Sequence, residues 1–193
     1  MNKGRLEAFS DGVFAIIITI MVLELHPPEG ASFAALKPVL PKFISYVLSF
    51  IYIAIYWNNH HHMFQAVKHV NGKVLWCNIL LLFCLSLVPF VTAWMGENHF
   101  SSSPVALYGI VLLMPALSYP ILLQSLIKLH GKDSLLGISI GKDFKGKVSI
   151  AIYCVGILMS FVNSWIGFAL YVLVAIIWFI PDSRIEKRIG KEI

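Results

Sequence analysis

Apolar residues occur in long runs along this chain, and the polar positions between them gather in a few short clusters. From residue 12 to residue 25 only Thr19 and Glu24 interrupt an apolar stretch. Five more runs follow, so the pattern predicts six helices, over about 6–25, 43–64, 74–95, 104–127, 148–162 and 165–180. The second is apolar as far as 57 and is expected to continue helically through the polar residues 58–64. A bilayer core of about 30 Å takes about 20 helical residues, so the last two runs are short for a crossing. Only Asn163 and Ser164 separate them, and a link that tight predicts a helical hairpin. Pro104 suits the first turn of the fourth helix. Pro89, Pro115 and Pro120 each remove a backbone donor and favour kinks in the third and fourth helices. The N-terminal polar cluster has no second copy, so residues 1–193 read as one six-helix unit, not a tandem repeat.

Composition sharpens this picture. Of the residues, 58% are hydrophobic and only 13% charged, with a mean hydropathy of +0.79. A soluble domain carries about 25% charged residues, so this chain cannot clothe a water-facing surface. It reads as an all-α integral membrane protein. The first apolar run is not a cleavable leader, because no small-residue site follows it and Glu24-Leu25-His26-Pro27-Pro28 ends it abruptly. Cys77, Cys84 and Cys154 lie inside apolar runs without metal-ligand spacing and read as small core residues.

The pI of about 9.1 raises nucleic acid as a partner, but the basic residues sit beside the apolar runs. Thirteen of the 15 lysines and arginines fall in the N-terminus, the second-to-third loop, the fourth-to-fifth loop and the C-terminal tail. Only Lys37 and Lys42 lie in the opposite loops. That bias places both termini in the cytoplasm, as an even number of spans requires, and predicts a multi-pass protein of the cell membrane. The run Arg184, Lys187, Arg188 and Lys191 is expected to fix topology and touch anionic headgroups. No nucleic-acid partner is expected.

The candidate chemistry begins at Arg5-Leu6-Glu7-Ala8-Phe9-Ser10-Asp11, which puts a guanidinium and a carboxylate at the mouth of the first helix. Charge at that depth is costly and usually marks function. At about 100° per residue, Ile16, Ile20 and Leu23 share a narrow stripe with Thr19 on its flank, whereas Asp11 lies about 140° from Ile16, toward neighbouring helices. On periodicity alone the stripe reads as packing or lipid contact, since nearly every membrane helix carries one. Asp11 alone can be read as a charge favoured by the helix dipole. His60-His61-His62 invites a metal reading. Adjacent helical residues diverge by about 100°, however, and zinc wants three or four convergent ligands. No metal or other cofactor is therefore expected. Histidines beside the cluster offer pH sensitivity.

Arg5-x-x-x-Phe9-Ser10-Asp11 followed by Phe14-Ala15-Ile16-Ile17 resembles the signature that opens the first helix of the transmembrane protein 175 family. These are the endolysosomal potassium channels and their prokaryotic relatives. Tyr56-Trp57-x-Asn59-His60-His61-x-x-Phe64, Leu75-Trp76-x-Asn78, and Pro89-Phe90-x-Thr92 followed by Gly96-Glu97 are similar to family segments as well. The resemblance covers about the first hundred residues. It implies a homotetramer in which the first helix of each copy lines a central pore for potassium and other monovalent cations. It also implies a hydrophobic constriction 5, 9 and 12 residues after the motif aspartate, at Ile16, Ile20 and Leu23, with a polar layer at Thr19. The implied supporting network is Arg5, Phe9, Ser10 and Asp11 with His60, His61, Trp76 and Asn78. Glu24 follows the stripe directly, and it reads either as a ring that concentrates cations at the outer mouth or as a solvated helix end.

A passive channel is thus the first expectation, with potassium as its permeant ion and no carbonyl filter, because Tyr108-Gly109-Ile110 is not one. A secondary transporter is the alternative, kept open by the proline-rich fourth helix, although no inverted repeat is evident. An enzyme is not expected. The histidines pair poorly across depth for haem, and no nucleophile–base spacing or phosphate loop stands out.

Overall fold

The computed structural model describes residues 3–131, 133–139 and 144–179. Among these residues all regular structure is helical. The elements are α1 (Lys3–Leu23), a 3-10 helix (Phe33–Val39), α2 (Leu40–Gln65), α3 (Gly72–Ser86), α4 (Val88–Glu97), α5 (Ser102–His130), α6 (Leu135–Ser139), α7 (Phe144–Ser160) and α8 (Ser164–Phe179). Four segments are long and apolar enough to cross a bilayer: Lys3–Leu23, Phe33–Gln65, Gly72–Glu97 and Ser102–His130. The remaining hairpin helices have 17 and 16 residues, and at about 1.5 Å per residue each spans only about 25 Å. The chain is a membrane protein with four full-length segments and a shorter helical pair; six full crossings are not established by length. The C-terminal basic run, with Lys132 and Lys142, lies outside the described residues.

Local sequence explains the ends and breaks. The third expected helix is two helices that meet at Leu87, whose φ of −83° and ψ of −14° cap both. Pro89, placed in the first turn of α4, has no N–H to continue the α3 ladder. The proline in α4 therefore acts two residues upstream of itself. In contrast α5 runs unbroken for 29 residues through Pro115 and Pro120. Pro120 frees the Ala116 carbonyl, and both residues line a cavity of about 40 Å³ with room for water beside that acceptor. Asn71 starts α3 by accepting from the Val74 N–H at 3.0 Å. Pro41, in the first turn of α2, lets the 3-10 helix feed into it without a lost donor.

The turn from α4 to α5 places His99 and Phe100 at φ of 48° and 58°, which is unfavourable for residues other than glycine. Phe100 is held there by its ring contacts with Trp165 and Phe168 at 5.0 and 4.8 Å. The α7–α8 hairpin closes where the Asn163 side chain accepts from the Trp165 N–H at 2.9 Å. Small residues bring α7 and α8 close together. A Cβ on Gly167 would meet the Ser160 hydroxyl and, at 2.8 Å, the Gly156 carbonyl. Tyr171 is fully buried over Gly109 and Gly156, and its carbonyl accepts from the Tyr52 hydroxyl at 2.6 Å. Between α2, α4 and α5, Ser49 links Thr92 at 2.6 Å to Tyr108 at 2.9 Å, so these buried hydroxyls are paired.

The candidate pore helix and its polar anchor

The first helix has two unlike faces. Leu6, Ser10, Phe14, Ile17 and Met21 are buried, at steps of three and four that follow the helical period. They pack against α2, α3 and α4. On the opposite side Ile16, Ile20 and Leu23 are 58%, 44% and 69% exposed, and Thr19 is exposed beside them. The stripe read from periodicity is thus the side of α1 that its own chain leaves uncovered. Thr19 donates its hydroxyl proton to the Ala15 carbonyl at 2.8 Å. Its oxygen lone pairs then remain available on the uncovered side.

The buried side carries a hydrogen-bond chain across three helices. His60 Nε2 on α2 meets Asn78 Oδ1 on α3 at 2.8 Å. Asn78 Nδ2 donates to Ser10 Oγ on α1 at 2.9 Å. Ser10 then donates to the Leu6 carbonyl, also at 2.9 Å. With the Asn78 amide nitrogen donating to Ser10, its Oδ1 accepts, and His60 is assigned a proton on Nε2. All three side chains are buried, and leaving any of them unpaired in this surrounding would be expensive. Phe14 meets the His60 ring edge-on at 5.6 Å, so apolar packing and hydrogen bonding locate the same imidazole.

Asp11 is held separately. Its Oδ1 accepts from the Trp57 indole N–H on α2 at 2.9 Å, and both residues are exposed. His61 stacks on Trp57 at 5.7 Å and hydrogen-bonds Gln65 at 2.8 Å. Of the residues grouped by sequence, Ser10, His60 and Asn78 therefore meet directly, and His61 joins Asp11 only through Trp57. Arg5, Phe9 and Trp76 are exposed, the last two at 59% and 74%, whereas the hydrogen bond of Asp11 goes to Trp57. The His61 and His62 rings meet edge-on at 5.7 Å while His60 Nε2 bonds Asn78, and the buried Nδ1 of His62 has no hydrogen-bond partner among the described residues. Glu24 is exposed just past the end of α1, while Glu97 pairs with Lys42 at 2.9 Å.

Two partners escaped the sequence reading. Trp57 stands within a quoted motif, but nothing in its spacing tells that its indole reaches Asp11. Lys3 read only as a topological charge, yet its ammonium donates to the carbonyls of Phe64 and Val67 at 2.9 and 3.0 Å. A lysine side chain that seeks a helix end on another element leaves no local pattern.

Comparison with known proteins places this geometry. The family model described as the endosomal/lysosomal potassium channel TMEM175 matches residues 5–89, from the first arginine of the motif to the proline of α4. A potassium channel of Chryseobacterium sp. (strain P1-3) is 58% identical over 187 residues, which is 97% of each chain. The endosomal/lysosomal proton channel TMEM175 of Mus musculus is 31% identical over 54% of this chain and 23% of its own length. The crystal structure of a lysosomal potassium-selective channel TMEM175 homologue from Chamaesiphon minutus superposes with a TM-score of 0.76 at 28% identity, covering 93% of this chain and 97% of that one. With a signature motif that anchors α1, a relative matched from end to end, and a shared fold, this chain belongs to the TMEM175 family.

Proposed function

We propose that this chain forms a potassium-selective cation channel as a homotetramer, with α1 of each copy around a central axis. The observation that carries this reading is the two-sidedness of α1. Its buried side is pinned to α2 and α3 by hydrogen bonds, and its open side presents Ile16, Thr19, Ile20 and Leu23. A lone chain with one pore helix needs copies of itself to close a pathway. The relatives that bear the name potassium channel support the choice of ion.

On this reading, rings of four branched side chains exclude water from the axis and close it by dewetting, without a carbonyl filter. Discrimination arises from the cost of stripping hydration, which is lower for the larger potassium ion. Thr19, its proton already given to Ala15, offers oxygen to a passing cation. Six segments cross the cell membrane with both termini cytoplasmic, the short α7–α8 pair lying toward the outside of the assembly, and Glu24 raises cation concentration at the outer mouth. The lysine and arginine bias supports that orientation.

The test is flux from liposomes that hold the purified protein, under potassium, sodium and proton gradients in turn. Wild type should pass potassium in preference to sodium without a cosubstrate. Ile20→Asn should raise conductance and lower the potassium preference by about tenfold, or roughly 1.4 kcal/mol. Unchanged conductance and preference in both Ile16→Asn and Ile20→Asn would remove the constriction from these positions. A flux that requires a second, driving ion would favour a transporter instead.

A further inference from the structure

The start of α1 is electrostatically odd. A helix N-terminus favours negative charge, yet the first turn holds Lys3 and Arg5 and no acidic residue. Membrane topology asks only for positive charge on this side, a demand that the exposed Arg5 meets in solvent. Lys3 does something more specific. Its ammonium is bonded to the carbonyls of Phe64 and Val67, where α2 ends, with Glu7 at 3.9 Å. Phe64 lies in the last turn of α2, where its carbonyl has a 3.3 Å bond from the Val67 N–H and carries the negative end of the helix dipole, and the Val67 carbonyl lies two residues past that end. The cation is out of place on its own helix and well placed on its neighbour.

We propose that Lys3 is a positioning residue for the pore: clamped on the C-terminal carbonyls of α2, it fixes the tilt of α1 and so the resting width of the constriction. This rests on α1 being the pore wall. Ser10 and Lys3 are then two polar points of attachment about 10 Å apart, and along the slidable apolar packing of Phe14, Ile17 and Met21 two such points set the tilt more tightly than one. Ile20 lies about 15 Å beyond Ser10, so a swing of about 4° moves it by about 1 Å. A dewetting gate responds to changes of that size.

The experiment compares full-length wild type, Lys3→Met, Lys3→Arg and Ile20→Asn in planar bilayers, with tetramer yield and thermal midpoint measured on the same preparations. Lys3→Met should shift open probability by about two- to fivefold. Its unitary conductance, potassium preference and tetramer yield should match wild type, and Lys3→Arg should recover wild-type gating. Wild-type open probability in Lys3→Met overturns the assignment. Loss of the tetramer in Lys3→Met overturns it too, since Lys3 would then be a stability element. So does an arginine variant that gates like the methionine one. Ile20→Asn separates this failure from that of the pore itself: if its conductance and ion preference equal wild type, α1 is not the wall and both readings fall. If Ile20→Asn changes conductance while Lys3→Met gates normally, only the role of Lys3 is lost.

Discussion

At the scale of single residues, the chain separates buried hydrogen bonds that must be made from exposed ones that assist. Asn78 stands between His60 and Ser10 with both its amide atoms used, so Asn78→Leu strands the buried His60 Nε2 and removes the bond that Ser10 accepts, while Ser10 keeps its own bond to Leu6. The expected loss is about 1–3 kcal/mol per stranded group, read as a fall in the thermal midpoint of the purified protein. Trp57→Phe removes only an indole N–H from an exposed contact and should cost about 1 kcal/mol or less. A midpoint that falls equally in both variants would contradict this ranking. Asp11→Ala should reduce tetramer yield or flux far more than Glu7→Ala, whose carboxylate lies 3.9 Å from Lys3 and contributes little at that range. The motifs group Ser10, Asp11, His60 and Asn78, together with Arg5, Phe9 and Trp76, which lie apart, and that grouping leaves Trp57 out. Which atom meets which was not legible, because a side chain of two or three bonds reaches several neighbours and only the backbones around it select one.

At the scale of elements, glycine and proline decide more than hydrophobicity does. Pro89 breaks a helical segment into α3 and α4, whereas Pro115 and Pro120 leave α5 continuous. The sequence signal is the same in each case. The difference is position: a proline in the first turn of a helix costs no bond, so the chain can start anew there, while α5 is braced along its length by α3, α4 and α7. The two hairpin helices approach closely at Gly156 and Gly167, and Gly109 on α5 lets Tyr171 of the hairpin pack against the bundle. Gly167→Ala should destabilise the protein by about 1–3 kcal/mol, since the Gly156 carbonyl at 2.8 Å is backbone and cannot step aside. Gly72→Ala, with nothing within 4 Å of the added carbon, serves as the comparison and should be neutral or mildly stabilising. Equal midpoints for the two variants would mean that the hairpin seam has slack.

At the scale of the whole molecule, the side of α1 with Ile16, Ile20 and Leu23 is left uncovered by its own chain. If four copies meet along it, a cysteine at Leu23 lies near its own equivalents, whereas a cysteine at Val155 on α7 faces outward. In a background with Cys77, Cys84 and Cys154 replaced by alanine, Leu23→Cys should form inter-chain disulfides in membranes and Val155→Cys should not. The reverse pattern on non-reducing gels would place α1 at the rim and end the pore assignment. The contact of Lys3 with α2 belongs at this scale too, because it joins α1 to the turn that leads into α3.

What the sequence by itself determined is the class of the molecule and the phase of its first helix. Composition dictates a bilayer as solvent, and a 3.6-residue period dictates which side chains of α1 stand together, since both are local or additive properties of the chain. The tertiary structure decided the rest. It chose Trp57 as the partner of Asp11, sent Lys3 to the end of α2, and divided the third segment at Leu87. Each of these depends on how close and at what angle two helices pack, a quantity set by glycine seams and side-chain shape across many residues and written at no one position.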